Sequence, residues 1–137
     1  MNATKPTVVF VCVKNGGKSQ MAAALTRMHA GDRIEVHSAG TNPGTKLNAA
    51  SAASVEELGA TFDGEYPKPL DVDLLRRADR VIVIGNEAHL EPVDGMHATI
   101  ETWHTGEPSE RGIEGAERMN LIRDDIEARC RELITSL

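Results

Sequence analysis

Apolar residues along the chain occur either in short continuous runs or in stripes with helical spacing, and the two patterns alternate. The continuous runs are rich in β-branched residues, which is typical of parallel strands that are buried on both faces. They predict strands over residues 7–13, 34–38, 80–85 and 99–103. The stripes predict helices over residues 18–30, 47–58, 71–77 and 114–134, and a glycine directly follows the first two of these.

Strands that alternate with helices predict an α/β fold of three layers, in which a four-stranded parallel sheet carries helices on both faces. A length of 137 residues suits one domain, so residues 1–137 are expected to form a single unit. Ligands of such sheets bind beyond the carboxyl ends of the strands. The loops after the first strand and after Trp103 therefore lie on one rim, which places Cys12 and Glu107 on the same side of the molecule.

The first strand leads into the sequence CVKNGGKS at residues 12–19, and a helix follows at once. In such a strand–loop–helix unit the loop amides and the helix N-terminus point at one place and form an anion site. The same positive field favours the thiolate form of Cys12. Asn15 is expected to brace the loop, because asparagine tolerates left-handed backbone and bonds nearby peptide groups. Ser19 is a candidate donor to the Cys12 sulfur or a plain helix-start residue.

Composition narrows the class of partner. The net charge is −6 and aromatic residues make up 3% of the chain, so neither a basic stripe nor base stacking favours nucleic acid. An acidic protein must capture an anionic substrate locally rather than by its overall field. No stretch is long and apolar enough for a membrane span or a signal peptide, and two cysteines do not make a disulfide framework. A cytoplasmic location is expected.

Two other interpretations of the loop fit less well. A nucleotide-binding loop needs Gly, four residues and then Gly-Lys-Ser or Thr; Gly17, Lys18 and Ser19 fit, but Cys12 occupies the first glycine position. The strand over 80–85 also runs into Gly85 and Asn86 rather than a magnesium-binding aspartate. The cysteines and histidines show no zinc spacing, so no metal site is expected.

The loop and the segments that follow it resemble a known family. Residues 12–22 are similar to the phosphate loop of the low-molecular-weight tyrosine phosphatase fold, which arsenate reductases share. The sequence SAGT at 38–41 matches a recurring family segment, and 103–108 falls where the family carries an aspartate–proline pair. The resemblance spans essentially the whole chain. It implies Cys12 as the nucleophile and an oxyanion bound by Val13, Lys14, Asn15, Gly16, Gly17, Lys18 and Ser19.

Three positions depart from the family pattern. Lys18 replaces an arginine, which keeps the charge but loses the planar two-point grip on an oxyanion. Glu107 replaces the aspartate that acts as general acid, and the resemblance implies the same catalytic role for it; the alternative is a solvated loop carboxylate. His104 is either a reserve acid or an exposed loop histidine. Lys14 stands where many relatives have glycine and adds a second cation near the mouth. These changes disfavour tyrosine phosphatase chemistry, although a low-molecular-weight protein tyrosine phosphatase remains the first alternative.

The version of the motif over residues 15–25 resembles the arsenate reductases of actinobacteria that use mycothiol. The resemblance implies arsenate as substrate, mycothiol as co-substrate, a glutaredoxin-like mycoredoxin as partner, and no tightly bound cofactor. Residues 86–96 hold no cysteine, whereas thioredoxin-coupled relatives need two there. Cys130 lies at helical spacing with Met119, Ile122, Ile126 and Leu133, which predicts a packed structural thiol. The second alternative is a non-catalytic oxyanion-binding module.

Overall fold

A computed structural model describes residues 5–137 and has a four-stranded parallel sheet at its centre. Its strands are β1 (Thr7–Cys12), β2 (Glu35–Gly40), β3 (Arg80–Ile84) and β4 (Ile100–Trp103). They lie in the order β2-β1-β3-β4, and every neighbouring pair is parallel. The order places β1 in the middle, so the loop that follows Cys12 opens at the centre of the carboxyl edge. The predicted fold class is confirmed.

Four helices surround the sheet: α1 (Lys18–Ala30), α2 (Ala49–Glu56), α3 (Val72–Arg77) and α4 (Gly115–Thr135). The larger core joins α1, α2 and α4 to one face, and Val8 and Phe10 point into it. The smaller core joins α3 to the other face, where Val9 and Val11 point. Apolar side chains from the loop after β3 complete that second layer. No helix within residues 5–137 is both long and apolar enough to cross a membrane.

The side chains of Val8, Val9, Phe10 and Val11 are fully buried, although they alternate between the two faces. Both faces of β1 are covered, which explains why the strand is a continuous apolar run in the sequence. Full burial of one such side chain contributes roughly 1.5–3 kcal/mol. The first strand is therefore a rigid base for the residue at its end, Cys12.

The bounds of β2 differ from the prediction in a way that matters for the site. The strand begins at Glu35 and continues to Gly40, two residues beyond the predicted end at 38. Ala39 and Gly40 pair with Val11 and Cys12 on one side, and Gly40 also bridges to Pro69 on the other. Small residues carry little strand propensity of their own, so this pairing is a tertiary effect. It fixes β2 beside the cysteine.

Candidate active site

The loop after Cys12 turns its carbonyl groups outward. Four of them accept hydrogen bonds from backbone amides of residues 41–48, which we call the bracing segment. The pairs are Cys12 with Thr41 at 3.0 Å, Val13 with Asn42 at 2.8 Å, Lys14 with Gly44 at 2.9 Å, and Gly16 with Asn48 at 2.8 Å. The N–H of a trans peptide points opposite to its C=O. The loop amides therefore face away from the bracing segment, as a binding concavity for an anion requires.

No hydrogen-bond acceptor within residues 5–137 pairs with the backbone amides of residues 13–17. Unpaired amides gathered in one concavity are the hydrogen-bond donors that an oxyanion needs. The helix α1 starts at Lys18, directly after the loop, and adds the positive end of its dipole. The backbone alone thus offers a built site for a tetrahedral anion beside Cys12.

Asn15 holds the loop from inside. Its backbone has a φ of 55°, the left-handed conformation that the sequence predicts for it, and its side chain is fully buried. Its Oδ1 accepts from the Lys68 amide at 2.9 Å, and its Nδ2 donates to Ser19 Oγ at 2.8 Å. Gln20, also fully buried, donates to Asn15 and to the Tyr66 carbonyl at 3.2 Å. Sequence reasoning assigned no role to Gln20, because a polar residue early in a helix is ordinary.

Ser19 lies against the nucleophile, with its Oγ 2.9 Å from Cys12 Sγ. Asn15 Nδ2 donates to the same oxygen, which leaves the Ser19 hydroxyl hydrogen free to donate to the sulfur. The side chains of Asn15, Ser19 and Cys12 thus form one continuous hydrogen-bonded chain. Ser19 as the donor to Cys12 stays a prediction that this geometry permits.

Lys18 begins α1 and reaches the loop after β3. A Cβ atom built on Gly85 would lie 3.5 Å from Lys18 Nζ, and Gly85 has a φ of 94° that suits only glycine. Lys18 forms no salt bridge within residues 5–137, so its charge is available to a bound anion. Lys14 lies on the opposite flank, where its side chain approaches Gly44 of the bracing segment.

Glu107, the predicted general acid, lies in an ion pair. Arg118 of α4 binds both carboxylate oxygens, at 2.8 Å to Oε2 and 2.6 Å to Oε1. The Ser109 amide and hydroxyl also donate to Oε2, at 3.1 and 2.9 Å. These donors, Arg118 first, lower the pKa of Glu107 to about 2. The role of Glu107 as general acid stays a prediction, and it would require Arg118 to release the carboxyl group.

The same ion pair makes stability depend on pH. The pKa of Glu107 is about 2 in the folded protein against an ordinary 4.5, so the pair stabilises above pH 4.5 and the effect is lost toward pH 2. We expect the Arg118→Met variant to lose less unfolding free energy than the parent between pH 5 and pH 3. Glu35, whose pKa is also about 2 because of Arg77 and His37, contributes equally to both proteins. Urea denaturation measures the difference, and identical pH slopes would contradict it.

His104 lies on the same rim, where its Nδ1 is 2.6 Å from Asn86 Oδ1. An amide oxygen only accepts, so this contact places a proton on Nδ1. The contact joins the loop after β4 to the loop after β3, beside Gly85 and the Lys18 ammonium. His104 is exposed, as expected of a loop histidine, and its role as a reserve acid stays a prediction. No cluster of three or more potential metal ligands occurs within residues 5–137.

Cys130 is packed as predicted. It is fully buried in the larger core, its sulfur lies 3.6 Å from the Ala22 carbonyl oxygen, and burial raises its pKa to about 12. A thiol of this kind is inert as a nucleophile. The prediction of a packed Cys130 is confirmed. Among residues 5–137 this leaves Cys12 as the one cysteine that lies beside the loop amides and is a candidate nucleophile.

Replacement of Cys130 by serine tests that assignment. Burial of a hydroxyl with no matched partner costs about 1–3 kcal/mol, so we expect the unfolding free energy to fall by that amount. Turnover at 25 °C should stay at the parental value, because the buried thiol takes no part in chemistry. Denaturant unfolding and activity measured on one preparation decide the point. A folded variant without activity would show that Cys130 acts in catalysis.

Comparison with known proteins places this geometry in a family. The family model for low molecular weight phosphotyrosine protein phosphatase matches residues 7–137. An arsenate reductase from Bacillus licheniformis is 31% identical over 134 residues, which cover 93% of this chain and 94% of that protein. A structure titled as an arsenate reductase in the phosphate binding state has a TM-score of 0.79 at 25% identity, with 96% of this chain and 98% of that one covered.

A thioredoxin-dependent arsenate reductase from Corynebacterium glutamicum is also similar, with a TM-score of 0.79 and 32% identity. The match covers 99% of this chain but only 63% of that protein, so that protein contains substantial sequence with no counterpart here. The family match, the parallel sheet and the cysteine loop at its carboxyl edge agree with one another. The chain belongs to the low molecular weight phosphotyrosine protein phosphatase family.

Proposed function

We propose that the protein is an arsenate reductase of the arsenate–mycothiol transferase type. The observation that carries the proposal is the candidate anion site around Cys12, in which unpaired loop amides surround a cysteine whose Sγ lies 2.9 Å from Ser19 Oγ. Arsenate is a tetrahedral oxyanion that fits such a site, with Lys18 as the neighbouring cation. Family membership and the arsenate reductases among the similar proteins support the same substrate.

In the first step the Cys12 thiolate attacks arsenic and water leaves. The balance is Cys12–S⁻ + H₂AsO₄⁻ → Cys12–S–AsO₃²⁻ + H₂O, with arsenic still pentavalent. The loop amides stabilise the charge on the arsenate oxygens, and Ser19 Oγ lies 2.9 Å from the attacking sulfur. The sulfur of a second thiol, RSH, then attacks arsenic; RS–AsO₃²⁻ forms and Cys12 leaves as its thiol. A third thiol attacks the sulfur of RS–AsO₃²⁻; a disulfide and trivalent arsenite result, and two electrons pass to arsenic.

The source of the second thiol follows from the cysteines. The sequence contains two, and Cys130 is buried within the larger core with its pKa raised to about 12. Cys12 therefore has no cysteine partner of its own for an internal disulfide relay, so the proposal assigns that step to an external thiol. The motif at residues 15–25 points to mycothiol, with a glutaredoxin-like mycoredoxin as the partner that completes the reduction. The protein would work in the cytoplasm, where such thiols are reduced.

The proposal is tested by the choice of reductant. The purified protein is given arsenate with mycothiol and mycoredoxin, with thioredoxin and its reductase, or with glutathione and glutaredoxin, and arsenite formation is followed. We expect turnover with mycothiol and mycoredoxin only. Turnover with thioredoxin alone, as in the C. glutamicum protein, would refute the mycothiol assignment but retain arsenate reduction. No turnover with any donor would refute the reductase.

Hydrolysis of p-nitrophenyl phosphate distinguishes the phosphatase alternative. Both activities would use Cys12, so loss of activity in a cysteine variant does not separate them. The two rates measured side by side do, because a dedicated phosphatase hydrolyses the ester rapidly and does not reduce arsenate. Robust hydrolysis of the ester together with absent arsenate turnover would favour a phosphatase. Arsenate binding with neither reaction would favour a non-catalytic binding module.

A further inference from the structure

Arg118 binds Glu107 after β4 and also lies near residues that contact the outer side of the phosphate loop. It lines a cleft of about 330 Å³ together with Asn48, the residue whose amide binds the Gly16 carbonyl. The next residue, Met119, accepts a hydrogen bond from Ser51 Oγ at 3.5 Å, and a Cβ on Gly17 would lie 3.3 Å from the same oxygen. Arg118, which binds Glu107, thus lies beside residues that pack against the phosphate loop.

Four donors bind the carboxylate of Glu107. Two guanidinium nitrogens, the Ser109 amide and the Ser109 hydroxyl all donate to it, at 2.6–3.1 Å. Protonation would remove the negative charge that makes the bonds from Arg118 strong. Planar two-point binding by arginine is the strongest of the contacts. Glu114, which immediately precedes α4, adds negative charge that favours the guanidinium of Arg118.

The two substrate classes of this family's chemistry differ in their need for that proton. The arsenate monoanion carries both hydrogens of the water that departs, so attack by Cys12 requires none from the protein. A phosphate monoester dianion has no proton on its leaving oxygen, and the balance is Cys12–S⁻ + ROPO₃²⁻ + H⁺ → Cys12–S–PO₃²⁻ + ROH. That proton must come from an acid, and a positioned acid contributes roughly 10²–10⁴-fold to such a step.

We propose that Arg118 is a positioning residue that determines specificity: it holds Glu107 as a carboxylate, withholds the acid that phosphate esters need, and leaves the reaction with arsenate intact. The inference rests on the proposed function for the arsenate half of the discrimination. It assigns a use to the glutamate–proline pair at 107–108. The rim residue that is an acid in a phosphatase is kept ionised here by a partner from α4.

The test compares leaving groups. Arg118→Met, the double variant Arg118→Met with Glu107→Gln, and the control Arg131→Met, an exposed arginine of α4, are assayed at about pH 5.5 on phenyl phosphate and p-nitrophenyl phosphate. Phenolate is a poor leaving group that needs a proton, and p-nitrophenolate is a good one that needs little. We expect Arg118→Met to raise kcat/KM for phenyl phosphate by at least about tenfold and to change that for p-nitrophenyl phosphate far less.

The gain should disappear in the double variant and be absent from the control, because it depends on a protonated Glu107. The pH profile of Arg118→Met on phenyl phosphate should also fall on the alkaline side as Glu107 ionises. A structural role for Arg118 would change neither the leaving-group ratio nor that profile. No gain on phenyl phosphate, or a gain that survives Glu107→Gln, overturns the proposal. If Arg118→Met is unstable, Arg118→Gln is the second variant, because its shorter side chain keeps a polar head without the charge.

Arsenate reduction measured on the same preparations separates this inference from the proposed function. If the parent reduces arsenate but Arg118→Met shows no gain on phenyl phosphate, only the role of Arg118 is refuted. If Arg118→Met shows the gain but the parent does not reduce arsenate, the proposed function is refuted and the control of Glu107 by Arg118 stands. A shift of the Glu107 carboxyl titration toward its ordinary pKa in Arg118→Met, followed by carbon NMR, measures the release of the acid directly.

Discussion

Replacement of Cys12 by serine is expected to abolish arsenate turnover, with a loss of at least about 10³-fold in kcat/KM. A serine hydroxyl is not ionised near neutral pH, and the field of the loop and of α1 cannot make it a comparable nucleophile. The reductase assay with mycothiol and mycoredoxin gives the measurement. The fold should be unchanged, because the substitution is nearly isosteric at a site that is 8% exposed.

The control for this variant is its affinity for the anion. The amides of the loop and Lys18 do not depend on the sulfur, so Cys12→Ser should still bind arsenate, as isothermal titration calorimetry would show. Cys130→Ser is the matched cysteine substitution and keeps turnover. Residual activity in Cys12→Ser above about a tenth of the parental rate would contradict a nucleophilic role, since loss of a nucleophile costs far more than this.

The second large effect is expected from Gly40→Ala. A Cβ at this position would lie 2.5 Å from the Val13 carbonyl oxygen and 3.1 Å from Asn15 Cβ. The Val13 oxygen cannot move freely, because it accepts from the Asn42 amide. Overpacking of this kind costs roughly 1–3 kcal/mol of stability. A displaced loop should lower arsenate turnover by about 10²-fold, since small shifts of reacting groups have effects of that size.

Gly44→Ala provides the matched control on the bracing segment. Its Cβ would meet Lys14 Cβ at 3.6 Å, an ordinary contact, and the backbone there needs no positive φ. Its stability should stay within about 0.5 kcal/mol of the parent and its turnover should be unchanged. Thermal denaturation and turnover are measured for both variants. Equal behaviour of the two would show that close approach at Gly40 does not shape the loop.

The parts of the fold that could be predicted are those whose cause is local. The first strand is predicted to within one residue, because it is a continuous run of β-branched residues. The bounds of α1 are predicted in full, because Gly31 marks its end. The candidate anion site in residues 12–19 likewise has a local signal, in the adjacent glycines and the helix that follows them. In contrast, the extension of β2 to Gly40 depends on pairing with Cys12 and Pro69. Such pairing is invisible in the local pattern.

Glu107 shows the same limit at the level of chemistry. Its position on the rim could be predicted from the strand order, and its residue type suits an acid. Its protonation is decided by Arg118, which is 11 residues away and approaches only when α4 packs. The bracing segment was similarly hidden, because backbone amides carry no sequence signature. The protonation of a site residue and the support of its backbone depend on contacts with distant segments, whereas the candidate nucleophile can be recognised from the adjacent sequence.

The bracing segment has a consequence for motion. Its amides at Thr41, Asn42, Gly44 and Asn48 are protected from solvent exchange only while the phosphate loop keeps its shape. The two segments should therefore open as one cooperative unit, in the sense used for native-state hydrogen exchange. An oxyanion that binds the inner side of the loop raises the free energy of that opening. Hydrogen exchange at these four amides should therefore slow when an oxyanion binds, although the amides lie on the opposite side of the loop backbone from the anion.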